Sequence, residues 1–199
     1  TIVGDIAQAT SAHAPASWQE VLKHLPNKNE SRIIGLTVGY RIPKQIMELA
    51  TRVMSAAAPE QTAPISVREG DEAPKIVNCA PDDLLKTLTI ETASLVSELR
   101  DGNIAIVCPD EMNDEICFAL DKAKISYGRA GSSGIENSLT VVPVGVVKGL
   151  ELDGVIVVEP SKIVAAQKYG LRTLYVALTR STRRLTVLHS EPLPEAMTN

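Results

Sequence analysis

The stretch LYVALTRSTRRLTVLHS, residues 174–190, predicts a helix followed directly by a strand. Apolar side chains at i, i+3, i+4 and i+7 give a helix over 171–180 one buried face: Leu171, Leu174, Tyr175 and Leu178. The apolar residues of 185–189 predict the strand. Three arginines with no carboxylate among them separate the two elements: Arg180, Arg183 and Arg184. Such arginines bind nucleic acid, bind a phosphate, or cap a helix and face water, and we expect Arg183 and Arg184 to face solvent.

The same succession of strand and helix recurs along the chain. Apolar runs predict strands at 1–4, 32–38, 75–80, 104–108, 125–128, 139–147 and 155–160. Helical periodicity and capping residues predict helices at 18–25, 42–57, 82–99 and 110–123. With one Trp and one Phe, the core must consist of Val, Ile, Leu and Ala, as in a parallel sheet covered on both faces. We therefore predict a doubly wound α/β domain.

Composition and charge limit the class of protein. A chain of 199 residues with 44% hydrophobic and 22% charged residues suits one full globular domain and a fragment of another. The net charge of −4 gives no reason to expect general nucleic-acid binding. Cys79, Cys108 and Cys117 lack a paired spacing and indicate free thiols in a reducing cytoplasm. No apolar run approaches the ~18 residues of a membrane span, and no signal-peptide pattern is present.

Four polar clusters lie where predicted strands end, and ligands bind at strand ends in doubly wound sheets. They are GDIAQ (4–8), GYRIP (39–43), VVKGLELDG (146–154) and the arginines of the opening stretch. Each cluster also has a plain structural interpretation. Asp5 can merely cap its turn, and Tyr40 can pack beside a solvated Arg41. A Lys-Gly-x-Glu turn is common between strands, and a cation such as Arg180 is favoured at any helix end.

Taken together and in this order, the clusters resemble motifs of the UvrD/Rep-type superfamily 1 helicases. VGDIAQA resembles motif III, YRIP motif IV, KGLELD motif V and LYVALTR motif VI. The resemblance spans residues 1 to about 190. It implies a RecA-like parallel sheet, with residues 1–30 a remnant of a first motor domain, 31–190 the second motor domain, and 191–199 a solvated tail.

The resemblance implies three residues that act on the phosphates of ATP bound with Mg²⁺. Gln8 would contact the γ-phosphate and couple hydrolysis to domain movement. Arg41 would reach the γ-phosphate from the second motor domain. Arg180 would be a second arginine finger that stabilises the charge developing on the transferred phosphoryl group.

The resemblance also implies contacts to the nucleoside. Tyr40 would stack on the adenine, and Glu151 would bind the ribose. Lys148 and Gly149 would shape the turn that carries Glu151.

The sequence departs from the helicase pattern in several places. The Walker A loop and the acidic Walker B motif, which belong to the first motor domain, are absent. We therefore expect this chain alone neither to bind ATP tightly nor to hydrolyse it. The interval of about 107 residues between Arg41 and Lys148 leaves no room for the large helical insertion of UvrD-like enzymes.

The segment before the Lys-Gly-Leu-Glu turn departs in a way that bears on the partner. UvrD-like enzymes carry Thr-x-His there, facing DNA, whereas this chain has Val142 and Val144. Stretches 4–10 and 141–160 resemble those of HelD-type ATPases, which act on bacterial RNA polymerase. The resemblance therefore implies a cytoplasmic helicase or translocase that moves on single-stranded DNA, with a HelD-like factor that remodels RNA polymerase as the alternative.

Overall fold

The computed structural model describes residues 1–11, 13–26, 33–70, 72–130 and 138–198. The α-helices among them are α1 Trp18–Lys23, α2 Lys44–Ala57, α3 Leu84–Glu98, α4 Asn113–Lys122, α5 Pro160–Ala165, α6 Gly170–Leu178 and α7 Glu195–Thr198. The strands are β1 Val38–Gly39, β2 Ile65–Ser66, β3 Lys75–Asn78, β4 Ile104–Cys108, β5 Gly128–Arg129, β6 Leu139–Pro143, β7 Leu152–Val158 and β8 Ser181–His189. No helix in these ranges is long and apolar enough to cross a membrane.

One sheet organises most of the chain. Its strand order is β3-β8-β7-β4-β6-β5, and all neighbouring strands run parallel. The strands β1 and β2 form a separate two-stranded parallel ladder. The predicted α/β class with a parallel sheet is confirmed, because helices α3 to α6 connect parallel strands of one sheet.

Apolar side chains cover both faces of the sheet. In β4, Ala105 and Val107 point into a cluster that also contains the buried residues of α2 and α6. The alternate residues Ile104 and Ile106 point into a second cluster with the buried residues of α3 and α4. Successive side chains of β4 thus point to opposite faces of the sheet, and apolar side chains cover the strand on both faces.

The N-terminal part of the chain differs from the prediction. Residues 1–4 are exposed and form no strand, and among the described residues of the predicted strand 32–38 only Val38 is in a strand, β1, which ends at Gly39. Arg32 lies outside the described residues. The apolar side chains Ile34 and Leu36 are exposed, and among the described residues of this run those from Ile33 to Thr37 are in no strand. The segment between the predicted helix 42–57 and the predicted strand 75–80 contains β2, which pairs with β1.

Several boundaries near the sheet also shift. The predicted strand 139–147 ends at Pro143, and a 3-10 turn, Val144–Val146, follows. Proline has no N–H to donate to a ladder, which favours a strand end there. Strand β8 begins at Ser181, so Arg183 and Arg184 lie in a strand and not in a turn. The helix α5, with Pro160 in its first turn, was not predicted.

The C-terminal residues pack onto the domain, although the sequence predicted a solvated tail. Met197 of α7 is buried in the cluster that contains the apolar face of α2. Leu193, Ala196 and Met197 lie among polar residues and prolines and give no periodic signal, so the sequence did not indicate this contact.

Candidate functional site

The site is built on the beginnings of two neighbouring strands. Strands β7 and β8 are paired in parallel with Leu152 opposite Ser181, and the Leu152 N–H donates to the Arg180 carbonyl over 3.1 Å. Glu151 and Arg180 therefore lie side by side, each directly ahead of a strand. Both lie at the amino ends of these strands, whereas the usual ligand position in such sheets is at the carboxyl ends. Sequence order alone does not tell whether a polar turn ends one strand or begins the next.

Arg180 is a buried arginine held by oxygen atoms. Its side chain follows α6, and the residue is only 4% exposed. Nε donates to the Val176 carbonyl over 3.0 Å, and Nη1 donates to the Leu150 carbonyl over 3.3 Å. Nη2 donates to Oε1 of Gln8 over 3.4 Å. Within the described ranges no carboxylate forms an ion pair with Arg180, and the carboxylates of Glu151 and Asp5 act on its charge only from a greater distance.

The electrostatics of Arg180 reflect this confinement. Burial lowers the pKa of the Arg180 guanidinium, and the positive charge of Arg41 lowers that pKa further. Two cations that affect each other in this way lie close enough to act on one anion. The guanidinium remains charged at neutral pH. An anion placed between the two arginines would therefore relieve an unfavourable interaction.

Gln8 and Lys148 meet next to Arg180. Lys148 Nζ donates to the Gln8 carbonyl over 2.9 Å. The Gln8 amide nitrogen donates to Asp5 over 2.8 Å, and the other Asp5 oxygen accepts the Ala7 N–H over 2.9 Å. Asp5 thus caps its turn and also fixes the direction of the Gln8 amide. The plain interpretation of Asp5 as a cap is correct, and the same carboxylate also orients the Gln8 side chain.

Arg41 and Glu151 form the more exposed part of the site. Arg41 Nη1 lies 2.5 Å from Glu151 Oε1, and the two side chains are 43% and 60% exposed. The Arg41 carbonyl accepts a hydrogen bond from Arg68 Nη1 over 2.7 Å. Arg68, which the sequence analysis did not select, thus helps to fix the backbone that carries Arg41.

Tyr40 and Gly149 complete the set of predicted site residues. Tyr40 is 80% exposed, so the interpretation of a packed tyrosine is wrong and the side chain is accessible to a stacking partner. Gly149 has φ +88°, and a Cβ built on it meets nothing within 4 Å. Glycine is thus required at this turn by the backbone conformation and not by a lack of space.

Tyr175 lies within electrostatic reach of Asp5, Arg41 and Arg180. It is buried in α6, and burial raises the pKa of its phenol to about 12. The negative charge of Asp5 also raises this pKa, whereas Arg180 and Arg41 lower it. The phenol is therefore neutral at neutral pH, and the ring belongs to the apolar cluster that also contains the buried residues of α2.

The two arginines of β8 are not part of the site. Arg184 is directed to the other side of the sheet, where Nε contacts Glu98 and Nη2 lies 3.7 Å from Glu72. Its side chain is mostly buried, so the prediction that it faces solvent is wrong. Arg183 is half-exposed and 3.9 Å from Asp153.

Sequence reasoning missed Arg172 and Tyr169. The Arg172 side chain is buried within α6 and donates to carbonyls of the N-terminal segment, and the Tyr169 hydroxyl donates to the Ala14 carbonyl over 3.3 Å. The only available signal was a charged residue directly after Leu171 on an otherwise apolar helix. That signal does not say what the charge contacts.

Comparison with known families identifies one part of the chain. Residues 138–188, about a quarter of the chain, match the family model of the UvrD-like helicase C-terminal domain. The matched range contains the turns ahead of β7 and β8, and the segments that carry Gln8 and Arg41 lie outside it. No curated protein matches in sequence.

Solved structures give a wider match in fold. The chain is similar to the C-terminal domain of a possible DNA helicase from Lactobacillus plantarum WCFS1, with 20% sequence identity and a TM-score of 0.62 over 80% of this chain and 92% of that chain. It is more distantly similar to the SWI2/SNF2 ATPase core of Sulfolobus solfataricus in complex with dsDNA, with 14% identity, a TM-score of 0.45, and coverage of 77% of this chain and 33% of that chain.

A third structure is comparably distant. Arterivirus nonstructural protein 10, a helicase in complex with DNA, is matched with 17% identity and a TM-score of 0.40 over 76% of this chain and 33% of that chain. The chain therefore has the α/β fold of the helicase C-terminal domain, and its residues 138–188 are similar to the UvrD-like helicase C-terminal domain.

Proposed function

We propose that this chain contains the second motor domain of an ATP-driven superfamily 1 helicase or translocase. In this proposal, residues 1–30 belong to the first motor domain, 31–190 form the second, and 191–199 follow it. One observation carries the proposal: a buried Arg180 without a carboxylate partner among the described residues lies against Gln8 and within electrostatic reach of Arg41. That arrangement suits an oxyanion such as the terminal phosphate of ATP.

Arg180 is the residue we assign to transition-state stabilisation. Its guanidinium is already removed from water and oriented by carbonyls, so it needs little reorganisation when charge develops on a phosphoryl group. The γ-phosphate would take the place of the weak contact between Nη2 and Gln8, which spans 3.4 Å. Gln8 would then be free to turn toward the phosphate or toward an attacking water.

Arg41 and Glu151 would separate when the nucleotide binds. Their ion pair is exposed, and such pairs contribute little stability, so a phosphate can displace Glu151 at small cost. Glu151 would then accept hydrogen bonds from ribose hydroxyls. Tyr40, exposed beside Arg41, would stack on the adenine.

The residues of this chain fit a triphosphate and a nucleoside better than they fit a metal. Among the described residues, no group of three or more His, Cys, Asp or Glu side chains gathers in a metal-binding arrangement. We assign Mg²⁺ and the phosphate-cradling loop to a first motor domain, which would close on this one when ATP binds. ATP hydrolysis supplies the free energy for movement along the partner.

A HelD-like function is a second candidate, supported by the burial of Val142 and Val144. Both valines are in the core, at the place where DNA-contacting polar side chains occur in UvrD-like enzymes. The net charge of −4 also favours a protein partner such as RNA polymerase over bare nucleic acid. Filter binding of the intact protein separates the two candidates, since tight, salt-sensitive binding to single-stranded DNA would contradict the HelD-like function.

The Arg180→Ala variant tests the motor function. In the ATPase that joins this chain to its first motor domain, we expect kcat to fall roughly 10³-fold, as for other arginine fingers. The control is Arg183→Ala, which removes a half-exposed arginine on the neighbouring strand and leaves kcat unchanged. A loss of only a few-fold for Arg180→Ala would instead favour an α/β interaction module with no motor role.

A further inference from the structure

Four side chains of the sheet domain hold the segment that follows Gln8. We call residues 8–11 and 13–16 the docked segment. Lys148 and Arg180 hold its first residue, through the Gln8 carbonyl and amide. Arg172 and Tyr169 hold the rest, through the carbonyls of Ala9, Ala14, Pro15 and Ala16.

Arg172 makes the largest share of these contacts. Nη2 donates to the Ala16 carbonyl over 3.0 Å, and Nη1 donates to the carbonyls of Pro15 and Ala9 over 3.2 and 3.4 Å. The guanidinium also lies 4.5 Å from the centre of the Tyr169 ring. One side chain therefore joins both ends of the docked segment to α6.

The burial of Arg172 is energetically unfavourable, which indicates that its side chain does more than fill space in the core. The residue is 4% exposed, no carboxylate pairs with it among the described residues, and its Nε has no hydrogen-bond acceptor there. Burying a charge that is stabilised by carbonyls and one aromatic ring, without a carboxylate, costs more than burying an apolar side chain of similar volume. A leucine or methionine would pack α6 at lower cost, so the arginine is better explained by what it holds.

The position of Arg172 links the docked segment to the phosphate site. Arg172 and Arg180 are eight residues apart, about 12 Å along a helix. Ala9, which Arg172 contacts, directly follows Gln8, which Arg180 contacts. A segment held at Ala9 leaves Gln8 little freedom to move away from Arg180.

We propose that Arg172 is a positioning residue that holds the docked segment on α6 and thereby keeps Gln8 against Arg180. The proposal rests on the proposed function, because Gln8 and Arg180 are the residues assigned there to the phosphate. It adds that the position of Gln8 in the anion site depends on the contact of Arg172 with Ala9, about two helical turns from Arg180. Anion binding at one end of α6 and docking of the segment at the other are then coupled, and each strengthens the other.

Trp18 allows a direct test on the 199-residue chain. It is the only tryptophan of the chain, it begins α1 directly after the docked segment, and its ring lies against Gly4. We expect Arg172→Met to increase acrylamide quenching of Trp18 fluorescence while circular dichroism shows the α/β domain still folded. Binding of inorganic tripolyphosphate, measured by calorimetry, should become about tenfold weaker.

Two further variants sharpen the test. Lys168→Met is the matched control, because Lys168 also lies over the Tyr169 ring, at 5.0 Å, but is exposed and makes no hydrogen bond to the docked segment in the described residues. It should change neither readout. Tyr169→Phe removes only the hydroxyl bond to Ala14 and should shift both readouts in the same direction by a smaller amount, even if Arg172→Met does not fold.

The outcomes are separable. Unchanged Trp18 quenching in Arg172→Met and in Tyr169→Phe overturns the proposal. Increased quenching with unchanged tripolyphosphate affinity also overturns it, since Arg172 would then be a structural anchor alone. If the unsubstituted chain does not bind tripolyphosphate, the coupling of the docked segment to an anion site is overturned. The proposed function is decided separately by Arg180→Ala in the assembled ATPase, because it places the phosphate-cradling loop in the first motor domain.

Discussion

The site has two regions that use the same chemistry in opposite ways. In the buried corner, defined here by Arg180, Gln8 and Tyr175, an arginine is fixed by carbonyl oxygens and nearly withdrawn from water. At the exposed edge, defined by Arg41, Glu151 and Tyr40, an arginine is half-exposed and held by one carboxylate. An anion site needs donors held in a fixed orientation and a counter-ion that it can release, and these two requirements are met here by different residues. The buried corner supplies the first, and the exposed edge supplies the second.

Replacing each arginine by lysine should distinguish the two regions most strongly. Lysine cannot reproduce the several directed hydrogen bonds of Arg180, so Arg180→Lys should lower kcat of the assembled ATPase on the order of 10²- to 10³-fold. Arg41→Lys keeps an exposed charge in place and should lower kcat only about tenfold. Equal losses for the two variants would mean that burial does not distinguish them.

Alkaline pH should weaken the buried corner. The pKa of Tyr175 is raised by burial from 10.0 to about 12, so the folded state holds the phenol proton more tightly than the unfolded state. This contribution to stability is complete below about pH 10 and is lost as the pH rises toward 12, on the order of 2 kcal/mol in all. Urea unfolding across this range should therefore show a steeper loss for the unsubstituted chain than for Tyr175→Phe.

Comparing the unsubstituted chain with Tyr175→Phe also separates the effect of Tyr175 on stability from that of Cys108. Burial raises the pKa of Cys108 from 9.0 to about 12, so this thiol weakens folding in an overlapping pH range. Its effect is the same in both proteins and cancels in their difference. Parallel stability curves for the two proteins would contradict the assignment of the alkaline loss to Tyr175.

The turn that joins the two regions should be sensitive to an added Cβ. Gly149 has a positive φ, so Gly149→Ala should lower the free energy of unfolding by about 1–2 kcal/mol, because L-residues are strained in that conformation. Gly39→Ala is the matched control: an added Cβ there also meets nothing within 4 Å, and its φ is not positive. Chemical denaturation of the two variants measures the difference.

Removing the counter-ion should have the smallest effect, and in the opposite direction. Glu151→Gln frees Arg41 and should strengthen binding of tripolyphosphate to this chain about two- to fivefold, as expected for the loss of a competing exposed ion pair. Asp114→Asn removes a comparable exposed pair with Arg129, at 2.8 Å, and should leave the affinity unchanged. Weaker binding in Glu151→Gln would show that Glu151 supports Arg41 instead of competing for it.

The sheet could be predicted from sequence, because burial on both faces leaves a strong apolar signal. The run Ile104–Cys108 is buried at every position and lies within the sheet as expected. The run 33–38 carries an equally apolar sequence but only its last residue is in a strand. An apolar run shows that a segment can be buried, but a neighbouring strand decides whether it is.

The site residues could be proposed from motif order, but their arrangement could not. The identity of Glu151 as the counter-ion of Arg41 depends on a contact between residues 110 positions apart, which no local pattern encodes. The contacts of Arg172 across more than 150 positions are equally invisible in the sequence. Periodicity reports neighbours one or two turns away, whereas these contacts are set by how the whole chain packs.

The way the docked segment is held has a consequence for how its sequence can change. Among the described residues, and apart from the amide of Gln8, the side chains of the sheet domain donate their hydrogen bonds to main-chain carbonyls of the docked segment. Carbonyl groups are common to every residue type, so the attachment does not read the identity of the residues from Ala9 onward. Relatives of this chain can therefore exchange this loop for one of different composition and equal length, and still present Gln8 at the same place.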